Sequence, residues 1–432
     1  MRGGGRTDRL GAMTIHEFDY FHQDRSVNPK HVDSLVHFFE SGAKEPGGFG
    51  FGVEIEHLPV RVGGYDPVTY AEPDGVREVM TELAPLYDPD SLYEEDGKIL
   101  GFSRPGIAVS LEPGGQIECS LGVAHSDDDF AREYAQFRHD IDPILARHRI
   151  RLVNYGYQPR AHATDIRIIP KPRYDAMTRF FGRTWRLGWN MMRCSASTQV
   201  SIDYTGEADA IAKMRVAAAV GPILALFFRN TPYFEGEENP WPLLRQYMWD
   251  GLDPQRTGLP AGLYDDNYGW TEYAYDVLAT PLMSVDLTHT PEYRGDEPVR
   301  PAWHDNAADV YPDRELNKAE ITHILSTHFP DVRLKNFLEL RHWDSLPFER
   351  AQRLEQIVRG IFYDAPTLAS LEDFFAGVRS VDVVAAKADL LAHGTEARPY
   401  GRSLDEWRRA LHAEDTRDDV PGDPEHPDVF QK

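Results

Sequence analysis

The stretch Phe51-Gly-Val-Glu-Ile-Glu-His-Leu58 alternates apolar and acidic residues, with Val53 and Ile55 on one side and Glu54 and Glu56 on the other. Successive side chains of an extended chain point to opposite faces, so a pleat here sets two carboxylates on one face about 7 Å apart. Alone, the pattern is equally that of an edge strand with glutamates in water. Its recurrence decides the fold.

Val109 to Ser120 breaks at Pro113-Gly114-Gly115 and resumes with Gln116, Glu118 and Ser120 opposite Ile117 and Cys119. In Thr198 to Tyr204, Gln199, Ser201 and Asp203 alternate with Val200, Ile202 and Tyr204. In Arg333 to His342, Arg333, Lys335, Phe337, Glu339 and Arg341 oppose Leu334, Leu338 and Leu340, which reads as a fourth strand of the same kind. Fully covered parallel strands read as continuous apolar runs, and these alternate instead. The expected fold class is therefore α+β: a mainly antiparallel sheet whose apolar face packs on helices and whose polar face lines a cavity.

The covering helices show apolar spacing of 3 and 4 over His31–Ser41, Phe130–His148, Arg173–Phe181, Ala208–Phe228, Leu316–Thr327 and Phe348–Phe362. The longest apolar run, Val216 to Phe228, is too short to span a bilayer and holds Gly221-Pro222, which predicts a buried, kinked helix. Residues 1–12 read as a flexible extension, 13–363 as one catalytic domain, 364–413 as further short helices and 414–432 as an acidic, disordered tail. Long loops are expected between Tyr233 and Thr271 and between Asp286 and Asp313.

Composition narrows the partners. With 46 Lys plus Arg against 70 Asp plus Glu, the formal charge of −24 repels nucleic acid and anionic lipid. Two cysteines, Cys119 and Cys194, are too few for a disulfide scaffold or a thiolate zinc site, and point to buried thiols in a reducing cytoplasm. No GxxxxGK[ST], GxGxxG or HExxH pattern occurs, which argues against P-loop enzymes, Rossmann dehydrogenases and zincins.

Glu54, Glu56, Glu118 and Glu339 converging on one cavity would repel one another unless cations sat among them, and oxygen ligands favour magnesium or manganese over zinc. Arg333, Lys335 and Arg341 accompany Glu339 and suit a metal-bound phosphate, so ATP fits such a site. Solvated polar faces are the alternative for each strand taken singly.

At this point the residues resemble a family. Gly52-Val-Glu-Ile-Glu-His57, Leu111-Glu-Pro-Gly-Gly-Gln-Ile-Glu118 and Val332-Arg-Leu-Lys-Asn-Phe-Leu-Glu-Leu-Arg341 are similar to segments of the plant and proteobacterial type of glutamate-cysteine ligase. Between them Tyr157-Gln-Pro159, Pro170-Lys-Pro-Arg-Tyr174, Met191-Met192, Gln199-Val200, Asn230-Thr-Pro232, Trp249 and Asp253-Pro-Gln-Arg-Thr-Gly258 follow in the family's order, over roughly residues 30 to 360.

The resemblance implies a curved antiparallel sheet forming a funnel, as in the catalytic domain of glutamine synthetase. It implies ATP-dependent joining of the glutamate γ-carboxyl to the amino group of cysteine through an acyl phosphate. It assigns Glu54, Glu56, Glu118 and Glu339 as metal ligands, Arg341 to the transferring phosphoryl group, and Arg333 and Lys335 to the nucleotide. Arg245, Arg256, Arg193, Gln199, Asn230 and Trp249 become candidates for substrate binding. Expected partners are small molecules, with neither nucleic acid nor membrane, in a monomer or homodimer.

Departures from the plant pattern fall at Cys194, Ser201, Arg229, Cys119 and His342-Trp343, with an arginine one place early at Arg193. Several of these were expected near the acceptor pocket, which leaves other amines open. A guanido-kinase type phosphotransferase and a non-catalytic nucleotide-binding protein are the remaining alternatives.

Overall fold

The computed structural model describes residues 26–416, so the extension 1–12 and the tail beyond residue 416 lie outside the described residues. Strand β1 (Phe51–Arg61) is the centre of a sheet of nine strands among the described residues. On one side it pairs with β5 (Ile117–Leu121), followed outward by β4 (Ile107–Leu111), β3 (Lys98–Arg104) and β2 (Tyr93–Glu95). On the other side come β7 (Ser197–Ile202), β15 (Leu338–Asp344) and β14 (Val332–Leu334), while β6 (Ile150–Val153) pairs with the far end of β1. Every pairing in this sheet is antiparallel, as the alternation predicts. Short pairs lie outside it: β8 (Tyr233–Phe234) with β9 (Glu237–Glu238), β10 (Thr257–Gly258) with β13 (Phe329–Pro330), and β11 (Met283–Asp286) with β12 (Val299–Ala302).

Register puts the acids side by side. Glu56 is the direct partner of Glu118 and Glu54 of Ser120, while across the other edge Glu54 faces Gln199. Directly opposed residues of an antiparallel pair share a face, so Glu54, Glu56, Glu118 and Gln199 all look the same way. Val53, Ile55, Cys119 and Val200 look the other way, into the core.

That core is built by helices α1 (Pro29–Glu40), α2 (Val76–Leu83), α3 (Asp127–Arg147), α4 (Pro172–Thr184), α5 (Gly188–Cys194), α6 (Glu207–Phe227), α7 (Leu244–Asp250), α8 (Trp270–Ala279), α9 (Ala307–Val310), α10 (Lys318–Ser326) and α11 (Phe348–Phe362). The C-terminal helices α12 (Ala365–Phe375), α13 (Ser380–His393) and α14 (Leu404–Ala410) pack into the same core, with Phe375, Leu390 and Trp407 buried in it. Helix α3 begins where Ser126 accepts from the Asp129 N–H at 3.2 Å and three aspartates occupy the first turn, both favourable at a helix N-terminus. Helix α6 is apolar nearly all round; 89% of its most hydropathic window is buried inside the fold, which makes it a core helix, each large side chain contributing about 1.5–3 kcal/mol of burial.

Two sequence expectations change, and one is met. Arg333 to His342 is not one strand but the hairpin β14–β15, turning at Lys335-Asn336-Phe337, where the Lys335 N–H donates to the Phe337 carbonyl at 2.8 Å. Arg333 therefore sits directly opposite Glu339 instead of six residues along. The buried helix expected around Gly221-Pro222 is α6, and its Gly221 serves a contact: a Cβ there would meet the His342 ring at 2.3 Å, so glycine lets β15 lie against the helix. The loop expected from Tyr233 to Thr271 holds α7, too short at 7 residues to show a clear period.

Candidate active site

The polar face of the sheet forms one side of a cavity of about 310 Å³, within the usual range for small-molecule sites. Five carboxylates line it, Glu54, Glu56, Glu112, Glu118 and Glu339, together with six cations, Lys171, Arg173, Arg245, Arg333, Lys335 and Arg341. The near balance hides a difference in pairing.

Glu54, Glu56, Glu112 and Glu118 come from β1, the end of β4 and β5, and among the described residues none has an ion pair within 4 Å. Burial, reinforced by the Glu118 and Glu339 charges, pushes Glu54 up to about 8. Burial with the Glu112 and Glu56 charges pushes Glu118 up to about 8, although Ser110 and Ser120 hydroxyls donate to it at 2.9 and 3.2 Å. Glu112 is raised to about 7 by burial and by Glu56. Glu56, also raised by burial, accepts the Ser197 N–H and hydroxyl, each at 2.7 Å.

The turn that brings Glu112 and Glu118 together needs glycine at residue 115, whose φ is +89°. Gln116 locks it: its amide accepts the Gly114 N–H and donates to the Ser195 carbonyl, both at 2.7 Å.

Glu339 is the opposite case. Arg333, Lys335 and Arg341 approach it at 2.6, 2.7 and 3.0 Å, and these cations hold its carboxyl well below the usual range against the effect of burial. Arg341 reaches the cavity through a bulge: between the pairs Leu340–Val200 and Trp343–Thr198 the strand β15 carries one extra residue. Bulges re-aim side chains; here Arg341 donates to Gln199 and Glu339, beneath Trp249 and Phe329, while the buried His342 ring sits against α6 at Gly221. Helix α7 supplies Arg245 and Trp249, and the Arg245 Nε donates to the Arg341 carbonyl at 3.1 Å.

The structure thus brings Glu54, Glu56, Glu118, Glu339, Arg333, Lys335, Arg341, Gln199, Arg245 and Trp249 to one cavity. It does not bring Asn230, Arg256 or Arg193 there. Asn230 is buried behind β15, donating to the carbonyls of Asn154 and, at 2.8 Å, Ser345. Arg256 is spent on Asp253, at 2.6 Å, and on the Thr327 carbonyl. Arg193 donates to the Ala163 carbonyl and covers the Trp189 ring at 4.4 Å. Arginine and asparagine in a motif-rich segment serve packing as readily as binding, and spacing does not separate the two. Asn230→Ala accordingly leaves two buried carbonyls without their donor; we expect a loss of about 2–3 kcal/mol in stability with kcat and KM of the folded enzyme unchanged. Denaturant unfolding alongside steady-state kinetics checks this, and a selective rise in a substrate KM would return Asn230 to the site.

Sequence reasoning assigned no role to Glu112, Lys171, Arg173 or Tyr174, yet all line the cavity. Lys171 lies 4.9 Å over the Tyr93 and Tyr174 rings, and burial followed by Arg173 lowers its pKa. Their signal was present: they stand inside Leu111–Glu118 and Pro170–Tyr174, segments picked out for resemblance alone. Cys119 and Cys194 are buried and unpaired, and burial pushes the Cys194 thiol up to about 12.

A polar sheet face with acids and bases on one cavity, closed over by helices, defines an enzyme active site for small charged substrates. Glutamate-cysteine ligase family 2 (GCS2) matches residues 50–406, and the chain belongs to that family of ligases. Among curated relatives, glutamate–cysteine ligase A, chloroplastic, of Oryza sativa subsp. japonica is 29% identical over 364 residues, covering 80% of this chain and 70% of its own. The chloroplastic glutamate–cysteine ligase of Solanum lycopersicum is 29% identical over 399 residues, covering 90% and 72%. A crystal structure of the Francisella tularensis glutamate–cysteine ligase in complex with AMP aligns over 89% of this chain and 80% of its own, at 11% identity and a TM-score of 0.47.

Proposed function

We propose that this ligase uses ATP to join the glutamate γ-carboxyl to the amino group of cysteine through γ-glutamyl phosphate. The observation that carries the proposal is the mixture of charge: four glutamates without an ion pair line the same cavity as Arg333, Lys335, Arg341 and Arg245, with Lys171 and Arg173 acting on Glu112. A polyphosphate bearing a hard divalent cation matches both kinds of charge at once.

Among the described residues no three His, Cys, Asp or Glu side chains form a ready metal cage. Magnesium needs only one or two carboxylates and completes its shell with phosphate and water oxygens. Glu54, Glu56, Glu112 and Glu118 are the donors that fit, and the ion would supply charge neutralisation on the phosphate oxygens. Glu339 acts differently, fixing Arg333, Lys335 and Arg341 on one carboxylate. The planar fork of Arg341, which lines the cavity, is suited to follow charge on the transferring phosphoryl group. In the first step a glutamate γ-carboxylate oxygen bonds to the γ-phosphorus and ADP departs. In the second the amine nitrogen bonds to the acyl carbon, the carbon–oxygen bond to phosphate breaks, and the ammonium proton passes to a carboxylate or to water.

Cysteine is favoured as the acceptor because the departures from the plant pattern miss the cavity. Cys119, Cys194, Arg193, Ser201, Arg229 and Trp343 do not line it, and His342 lines only a small chamber behind it. The plant relatives are named as chloroplastic and lend the cytoplasm no support; two buried thiols suit any reducing compartment. The direct test is incubation of the full chain with ATP, magnesium, glutamate and a panel of amines, reading phosphate release and product mass. Amide formed with cysteine at the highest kcat/KM is expected. Phosphate appearing on the acceptor would instead identify a phosphotransferase.

The acids also imply a pH dependence. Glu54 and Glu118 have folded values near 8 against an ordinary 4.5, so the unfolded chain releases these protons first and rising pH favours unfolding between about 4.5 and 8. In chelator the thermal midpoint should fall from pH 6 to pH 9. Magnesium with a non-hydrolysable ATP analogue should offset the fall, most strongly at pH 9. A flat profile in chelator would mean that the acids do not press on one another.

A further inference from the structure

We infer that Lys387, on the C-terminal helix α13, is a positioning residue that holds two walls of the cavity in register from behind; the inference rests on the ligase reading above. Its side chain is buried, and Nζ donates to Asp250 Oδ1 at 2.7 Å and to Asp331 Oδ2 at 2.8 Å. The two aspartates belong to different walls. Asp250 ends α7, the helix that carries Arg245 and Trp249 into the cavity. Asp331 lies between β13 and β14, and its carbonyl accepts the Arg341 N–H at 3.0 Å while its own N–H donates to the Gly258 carbonyl at 2.8 Å.

One ammonium thus joins the end of the Arg245 helix to the residue that holds the Arg341 backbone. At the front, the Arg245 Nε bond to the Arg341 carbonyl, 3.1 Å, joins the same walls. Between these ties lies a small chamber lined by Gln246 and His342, whose side-chain amide and both ring nitrogens are buried without a protein partner. With those groups unpaired to protein, the rear is tied by the main-chain pairing of β10 with β13 and, through side chains, by the Lys387 contacts. Asp331 is buried and Asp250 half-buried; brought together without a cation between them the two carboxylates repel, so loss of the lysine loosens α7 from the Asp331 turn. Arg245 and Arg341 then lose their mutual placement.

Steady-state kinetics on full-length variants test this. Lys387→Met is expected to lower kcat about 100-fold, the scale of a misplacement of roughly 1 Å, with the KM values for ATP and glutamate within about threefold of the parent. Its thermal midpoint should fall, because a buried and a half-buried carboxylate are left facing each other. The triple variant Asp250→Asn, Asp331→Asn, Lys387→Met removes that repulsion. Its midpoint should return toward the parent while kcat stays low, and peptides covering residues 244–259 and 327–343 should exchange amide hydrogens faster than in the parent.

Parental kcat in Lys387→Met, or recovery of kcat together with stability in the triple variant, overturns the positioning role. Should the triple variant fail to fold, Lys387→Arg decides: recovery of kcat with the charge supports the clamp, and a kcat no better than that of Lys387→Met overturns it. A parent that makes no amide from any amine defeats the ligase reading alone, since the exchange comparison still reports on the clamp.

Discussion

Glu118→Gln is expected to suppress ADP formation about 100- to 1,000-fold, the scale of losing one electrostatic element of an active site, and at the same time to raise the thermal midpoint of the metal-free protein. The two effects have one cause. Glu118 stands directly opposite Glu56, in a buried face where Glu112 and Glu56 push its carboxyl up to about 8. Glutamine keeps the shape and can still accept from the Ser110 and Ser120 hydroxyls, so the strand pairing survives. What disappears is a charge that the empty site tolerates poorly and that a cation-bearing phosphate requires.

The sign of the stability change depends on pH. Below about 4.5 the carboxyl is protonated in both folded and unfolded chains, and the variant gains nothing. Above about 8 the parent must hold a buried, repelled anion, and the gain is complete. Thermal scans in chelator from pH 5 to pH 9, paired with ADP release in saturating magnesium, read both effects. Undiminished turnover would remove Glu118 from the cation site, and a midpoint that falls at high pH would show that the acids are not in conflict.

Arg341→Lys should lower kcat about 1,000-fold, the low end of what an arginine on a transferring phosphoryl group contributes. Lysine keeps the charge and loses the planar fork, which is what a trigonal phosphoryl group with charge on several oxygens calls for. The fold has little reason to fail. Glu339 retains Arg333 at 2.6 Å and Lys335 at 2.7 Å, so the buried carboxylate is still neutralised when the 3.0 Å contact is altered. Arg341 also sits at a bulge, where the main chain is held by its N–H bond to the Asp331 carbonyl regardless of the side chain. We expect the thermal midpoint to change little and the KM for ATP to rise less than kcat falls. Rapid-quench measurement of ADP in a single turnover separates chemistry from product release. A rate within tenfold of the parent would place another residue on the phosphoryl group.

Much of this was legible in the residues themselves. Period-two alternation is a local property, so each strand declared its own polar face, with Glu54 and Glu56 together on β1, and the absence of continuous apolar runs declared an antiparallel sheet. That Arg333, Lys335 and Arg341 accompany Glu339 was also readable, because all four stand in one alternating segment. Alternation told nothing of the turn at Lys335–Phe337. The sequence pattern of a single strand and of a tight hairpin coincide there: either way Arg333, Glu339 and Arg341 face together, by strand spacing in one case and cross-strand pairing in the other.

The remaining assignments were beyond local pattern. Whether an arginine reaches a cavity or an aspartate three residues away depends on where its segment lies, which is why Arg245 on α7 enters the cavity and Arg256, in the turn before β10, pairs with Asp253. Glu112, Lys171 and Arg173 reach the site because a glycine turn and the start of α4 approach from separate directions. Period and charge, which act between neighbours along the chain, determined the strands, their polar face and the chemistry that face can bear. Register, the β15 bulge, and the tie from Lys387 to Asp250 and Asp331 were decided only by tertiary structure, because each joins residues that are distant along the chain and meet only after the helices have packed.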